Sequence, residues 1–186
     1  MAEHICPWWV GYILASPIRR LLQDPVEIVR PYVKKGMTVL EPGPGMGFFT
    51  VELARQVGPS GRVIAVDIQP RMISGLKRRL AKKGLLERVD ARVSTSDSLG
   101  LKDLAGKVDF ALAIAAVHEM PSPTWFFPQV AEAMKPSGTL LFAEPRGHVK
   151  DAAFQAEIDA ALAAGFAVAE RPAVKRSLAA LLKMKN

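Results

Sequence analysis

The sequence predicts an α/β fold, a doubly wound sheet of seven strands, mostly parallel with an antiparallel C-terminal strand. Three observations predict it. Short apolar runs alternate with helical patterns from residue 37 onward. One strand-like run ends in a turn with glycine at every second position, Glu41-Pro42-Gly43-Pro44-Gly45-Met46-Gly47, and another ends in a carboxylate, Asp67, 20 residues beyond Gly47. Strands separated by helices need right-handed crossovers, and these cover both faces of a parallel sheet.

Residues 1–35 read as a helical lid or flank ahead of the sheet. Trp8, Trp9 and Tyr12 give it aromatic bulk, Ser16-Pro17 opens a short helix through residue 22, and Asp24-Pro25 opens a second to about residue 32. After Gly36, residues 37–41 form the first strand, 50–57 a helix, 58–61 a turn and 62–67 the second strand. Residues 70–83 form a helix with Met72, Ile73, Leu76 and Leu80 on one face. Residues 89–94 are the third strand and 101–105 a brief helix. Residues 109–116 are the fourth strand, apolar on both faces as a central parallel strand requires. A helix at 123–134 leads through a turn, Lys135-Pro136-Ser137-Gly138, to a fifth strand at 139–144. A helix at 151–164 and closing strands at 166–170 and 175–182 complete the pattern.

A chain of 186 residues, 49% of them hydrophobic, suits one domain over 1–186, with 1–35 as its flank and 36–186 as its core. The single cysteine, Cys6, excludes a disulfide framework and a zinc ribbon and suits a reducing, cytoplasmic setting. The net charge of +7 suits acidic partners such as RNA, phosphorylated metabolites or anionic lipid without choosing among them. The basic groups lie in short scattered runs such as Lys77-Arg78-Arg79, with no interleaved aromatics to stack bases. Solvated helix faces are therefore the preferred reading over a nucleic-acid footprint. The apolar run at 5–15 is too short for a transmembrane segment, and Glu3, His4 and Pro7 argue against a secretion signal.

Ligands on such sheets bind beyond the carboxyl ends of the strands. Those ends carry Glu41, Gly43, Gly45 and Gly47; Asp67 and Ile68; Ser96, Asp97 and Ser98; Ala115, Val117, His118 and Glu119; and Glu144, Arg146 and His148. A glycine turn admits close approach of backbone to a ligand and aims helix amides at it, and an acid at this distance suits ribose hydroxyls. The layout is that of an adenosine site.

These residues resemble the class I S-adenosylmethionine-dependent methyltransferases, from residue 37 to the end of the chain. Glu41 to Gly47 is similar to the family's first motif, Asp67 to its ribose-binding acid, and Ser96-Asp97-Ser98 to its adenine turn. Residues 109–120 resemble its fourth strand with the polar pair that follows, and Met134-Lys135-Pro136-Ser137-Gly138-Thr139-Leu140-Leu141 the approach to its fifth. Ser137 stands where glycine is commoner. The resemblance implies a Rossmann-like fold and S-adenosyl-L-methionine as cofactor, contacted by Glu41, Gly43, Gly45, Gly47, Asp67, Ile68, Asp97, Ser98 and Ala115. A nicotinamide-dependent oxidoreductase is the competing reading, but it needs GxGxxG, and here the third glycine falls one position early with Phe48 in its place. Glu41 would also repel a diphosphate, whereas it can meet the ammonium of a methionine moiety.

A sulfonium carries its own activation, so such a protein must mainly align a nucleophile and exclude water. A base is needed only where the acceptor is protonated. His118 and Glu119 are the first acceptor-side candidates, because the resemblance sets the fourth strand beside the transferring methyl; the alternative is that His118 only caps the strand end or packs on the lid. Glu144 and His148 form a second polar pair. His4, Cys6, His118, Glu119 and His148 include metal-ligating groups, yet their spacing specifies no site and no metal is expected. Trp8, Trp9 and Tyr12 either roof the acceptor pocket or pack the flank. The Asn/Asp-Pro-Pro-Tyr/Phe motif of amino-methyltransferases is replaced by Ala116-Val117-His118-Glu119-Met120-Pro121. A small-molecule acceptor, apolar or anionic, is the leading expectation. An RNA or protein methyltransferase using the basic surface, and a non-catalytic cofactor-binding module, remain as alternatives.

Overall fold

Asp24 begins the first helix of the computed structural model, which describes residues 23–185. The expected helix through residue 22, and with it His4, Cys6, Trp8, Trp9 and Tyr12, lies outside the described residues. The Asp24 side chain accepts the Val26 N–H at 2.9 Å, and Pro25 supplies a fixed first helical residue of α1 (Pro25–Val29). The helix is shorter than expected. Pro31 has no N–H to return to Glu27, so the ladder cannot continue through it.

The chain divides into two compact units, one ending at Leu99 and the other beginning at Gly100. The first contains β1 (Thr38–Pro42), α2 (Thr50–Val57), β2 (Arg62–Asp67), α3 (Pro70–Ala81) and β3 (Val89–Val93), with its strands ordered β3-β2-β1 and parallel. Val39 and Leu40 pair with Val63 and Ile64, and all four are buried, which is why both strands read as continuous apolar runs. Leu53 of α2 and Leu76 and Leu80 of α3 fill the same core and are wholly buried. The helix α3 stops at Ala81, two residues short of expectation. Gly84, at φ 66°, adopts a left-handed conformation and lets the Leu85 N–H return to the Leu80 carbonyl.

The second unit contains β4 (Val108–Ile114), α4 (Pro123–Ala133), β5 (Met134–Pro145), α5 (Asp151–Ala163), β6 (Phe166–Glu170) and β7 (Ser177–Met184). Its strand order is β4-β5-β7-β6, with β5 parallel to β4, and β7 antiparallel to both β5 and β6. Ser122 caps α4 by accepting the Trp125 N–H. Phe127 meets Phe126, Phe142 and Phe166 edge-on, and Phe154 of α5 stacks on Phe142 at 5.0 Å between centroids. The fold class is the expected one, a mostly parallel seven-stranded sheet with an antiparallel C-terminal strand and helices between strands.

Boundaries in the second unit differ from the sequence reading as well. Residues 135–138 belong to β5 as an outward bulge, because the register with β4 jumps from Val108↔Met134 to Phe110↔Thr139. Lys135 holds that bulge down through a 2.6 Å bond from Nζ to Asp109 Oδ1. The brief helix expected at 101–105 is a single 3-10 turn, Lys102–Leu104. The last strand starts two residues later than expected, since Arg176 takes a left-handed φ of 61° and the Ser177 N–H closes a turn onto the Val174 carbonyl.

Candidate functional site

In the first unit the glycine turn is pinned at both ends. The Gly43 N–H donates to the Val66 carbonyl at 2.9 Å, tying the turn to the end of β2, and the Gly47 N–H donates to the Pro44 carbonyl at 3.0 Å. Gly45 and Gly47 sit at φ 53° and 85°, where a Cβ costs about 1–2 kcal/mol, and they serve different ends. A Cβ on Gly45 would meet nothing within 4 Å, so the backbone there borders open space. A Cβ on Gly47 would lie 2.5 Å from Leu76 Cδ1. Met46 between them is buried against Met72, and Gly75 leaves room for its side chain. The loop is thereby clamped onto α3 while Gly45 stays open. Gly47→Ala is expected to lower the melting temperature by more than Gly45→Ala, because it adds the Leu76 clash to a similar backbone penalty. Thermal unfolding of the two variants checks this.

Glu41, at the end of β1, is 4% exposed, and α2 begins with no side-chain cap on its first amides. Asp67 is oriented twice: its Oδ1 accepts the Gln69 N–H at 2.9 Å, and its carbonyl accepts the Ser94 N–H at 3.0 Å. Ile68 beside it is 40% exposed, an apolar surface at a polar edge. The turn after β3 is closed by Thr95, whose N–H donates to the Ser98 carbonyl while its Oγ1 accepts the Ser98 N–H at 3.2 Å. Asp97 is exposed on that turn. Glu41, Gly43, Gly45, Gly47, Asp67, Ile68, Asp97 and Ser98 thus lie at or just beyond the carboxyl ends of β1, β2 and β3. An open glycine backbone, an oriented carboxylate and an exposed apolar side chain next to it fit an adenosine-bearing cofactor.

The acceptor-side candidates His118, Glu119, Glu144 and His148 fall in the second unit, as does Ala115. Ala115, at the end of β4, has φ 54° and donates its N–H to the Ala143 carbonyl at 2.8 Å. The chain then enters a 3-10 turn, Val117–Glu119, which is hydrogen-bonded to Glu144 at the end of β5. Glu144 is wholly buried; its Oε1 accepts the Val117 N–H at 2.8 Å, and its Oε2 is hydrogen-bonded to His118 Nδ1. With Nδ1 engaged by a carboxylate, the neutral ring carries its proton there and leaves Nε2 as the basic nitrogen. That nitrogen lies 3.9 Å from Glu119 Oε1. The His148 ring meets the His118 ring edge-on at 5.5 Å.

One buried acid was not legible as a site residue. Glu157 of α5 is 5% exposed, and its Oε2 has no hydrogen-bond partner among the described residues. Its spacing from Phe154 and Ala161 sets it on the buried face of α5, the available signal in the sequence. Burial, then the nearby Glu144 charge, pushes its carboxyl up to about 7, against a smaller opposing effect of His118. For His118, burial alone would lower the pKa. The bond to Glu144 and the charges of Glu144, Glu119 and Glu157 outweigh that, and the imidazole is raised above its ordinary value.

Among the described residues, no three histidine, cysteine or acidic side chains converge as metal ligands do, and no helix is long and apolar enough to cross a membrane.

The methyltransferase-domain family matches the chain over residues 33–177, and the chain belongs to that family, the Rossmann-like S-adenosylmethionine-dependent methyltransferases. A solved S-adenosylmethionine-dependent methyltransferase from Aquifex aeolicus is 25% identical, with a TM-score of 0.83 over 95% of this chain and 99% of that one. Among curated proteins, the ribosomal protein L11 methyltransferase of Pelotomaculum thermopropionicum is 30% identical over 86% of this chain and 48% of its own length. The arsenite methyltransferase of Halobacterium salinarum is 31% identical over 59% of this chain and 27% of its own length. The chain spans between about a quarter and just over half of the first such relatives. Their names cover arsenite, protein and quinone-pathway methylation, so likeness does not select an acceptor.

Proposed function

We propose that the chain transfers the methyl group of S-adenosylmethionine to a small-molecule acceptor, with His118 as general base and Glu144 as the group that orients it. The observation that carries this reading is the buried Glu144 carboxylate bonded at once to the Val117 amide and to His118 Nδ1. In this reading Glu41 meets the cofactor's ammonium, Asp67 its ribose hydroxyls, and Ile68, Asp97 and Ser98 its adenine, with Gly43, Gly45 and Gly47 giving the backbone clearance. Ala115, where the chain leaves β4 with a left-handed φ of 54°, is a further candidate cofactor contact.

When bound, S-adenosylmethionine supplies a sulfonium-activated methyl group, so no covalent enzyme intermediate is required. His118 Nε2 takes the proton that the acceptor loses as it is methylated. Glu144 fixes the tautomer that leaves Nε2 basic and stabilises the imidazolium that results. Glu119 adds negative charge near that imidazolium, and His148 supports the ring edge-on.

Labelled methyl transfer into a fractionated cell extract tests the reading. Label in low-mass compounds is expected. Label confined to RNA or protein would favour a macromolecular acceptor using the basic surface, where phosphate contacts would show a steep salt slope. Cofactor binding without transfer to any fraction would favour a non-catalytic module.

A further inference from the structure

At the carboxyl end of β5 and the start of β7 lies a second feature that the methyl-transfer chemistry does not use. The register of β5 and β7 pairs Pro145 with Ser177, so Arg146 and Arg176 extend beyond the paired ends, and the Arg146 N–H donates to the Arg176 carbonyl at 3.1 Å. Arg171 follows β6 directly and reaches the same edge. These three arginines, with Asp151, Phe154 and Ser177, are among the residues lining a cleft of about 610 Å³. That is the size range of small-molecule sites. Leu178, the register partner of Glu144, also lines it. The cleft therefore borders the carboxyl end of β5, with Leu178 as the cross-strand neighbour of Glu144, while neither Glu144 nor His118 is among its lining residues.

Its charge is one-sided, with three guanidinium groups against the single carboxylate of Asp151. That carboxylate is a weak competitor: its side chain is 83% exposed and lies 3.6 Å from Arg146 Nη1. Arg171 rests over the Phe154 ring at 5.6 Å, which limits the directions its planar fork can face. Arg176 is one of two non-glycine residues with left-handed backbone among the described residues, a conformation that glycine would adopt without penalty. Guanidinium forks bind carboxylate and phosphate oxygens in pairs.

We propose that this cleft is the acceptor-recognition site and that the acceptor is a small anionic molecule, carrying a carboxylate or phosphate group that Arg146, Arg171 and Arg176 hold. The proposal rests on the acceptor chemistry assigned to His118, and its test separates the two. The full chain is titrated with citrate and with inorganic phosphate at fixed ionic strength, by calorimetry. Saturable binding of at least one probe is expected, weakened about 10-fold or more in Arg171→Ala/Arg176→Ala, as for loss of charged hydrogen bonds. It should be unchanged in Lys102→Ala/Lys107→Ala, which removes the same charge elsewhere. No saturation, or equal weakening in both double variants, would overturn the site.

In the labelled-transfer assay the low-mass product should be retained on an anion exchanger. The arginine variant should need at least about 10-fold more acceptor fraction for half-maximal transfer, with S-adenosylmethionine affinity unchanged. A neutral labelled product, or label in RNA alone, would also overturn it. Absence of transfer to any fraction would instead count against the His118 chemistry, and the titration would still decide the cleft.

Discussion

His118→Asn is expected to lower methyl transfer by about 10²–10⁴-fold, the range that a positioned general base contributes, while S-adenosylmethionine binds as before. Asparagine keeps a polar group near Glu144, so the buried carboxylate is not abandoned, but it removes the only basic nitrogen at that position. Single-turnover transfer measures the first effect and calorimetry the second. The pH dependence follows from the raised imidazole: transfer should rise with pH on a limb set by His118, above the ordinary histidine value of 6.5. Glu144→Gln removes a negative charge and leaves one acceptor oxygen where the Val117 N–H and His118 Nδ1 now use two, so the same limb should move to lower pH as the rate falls. A rate that ignores His118→Asn would remove the base from the mechanism.

Glu157→Gln is expected to stabilise the protein at neutral and higher pH and to have little effect near pH 4. The carboxyl stands near 4.5 when unfolded and is raised to about 7 when folded. Below 4.5 both states are protonated and nothing is lost. Between 4.5 and 7 the unfolded state ionises first, so the native state loses stability progressively, and above about 7 the loss is complete. For a group this buried the full shift corresponds to an upper bound of about 3 kcal/mol. Urea unfolding of both proteins at pH 4, 6 and 8 checks the trend, the gap widening up to about pH 7 and then levelling. A gap independent of pH would show that Glu157 ionises as freely in the native state as in the unfolded chain. Removing its charge should also lower the His118 value, since Glu157 is among the groups that raise it.

The elements that the residues announced most clearly were those whose pattern and local chemistry agree. Helix 50–57 and strands 62–67 and 166–170 have the bounds that apolar periodicity and flanking glycines imply. Residues 135–138 did not, because Pro136-Ser137-Gly138 has turn composition yet is held in β5 by long-range pairing and by Lys135 on Asp109. The site was legible in part. The rule that ligands sit beyond strand ends singled out His118, Glu119, Glu144 and His148 separately, but the bond between His118 and Glu144 spans 26 residues of sequence and no local pattern reports it. Glu157 escaped notice because an acid on a helix ordinarily faces water. Arg146 stood out only as a strand-end residue, and Arg171 and Arg176 escaped, because only the antiparallel registers of β7 with β5 and β6 bring the three segments to one edge.

The glycine turn and Asp67 are expected to build a nucleoside site. Calorimetric titration of S-adenosylmethionine into the wild-type chain and into Asp67→Ala tests it. Saturable binding is expected in the wild type, with affinity about 10- to 100-fold weaker in the variant, the cost of losing charge-assisted bonds to two hydroxyls. Equal affinity in the two proteins would contradict it.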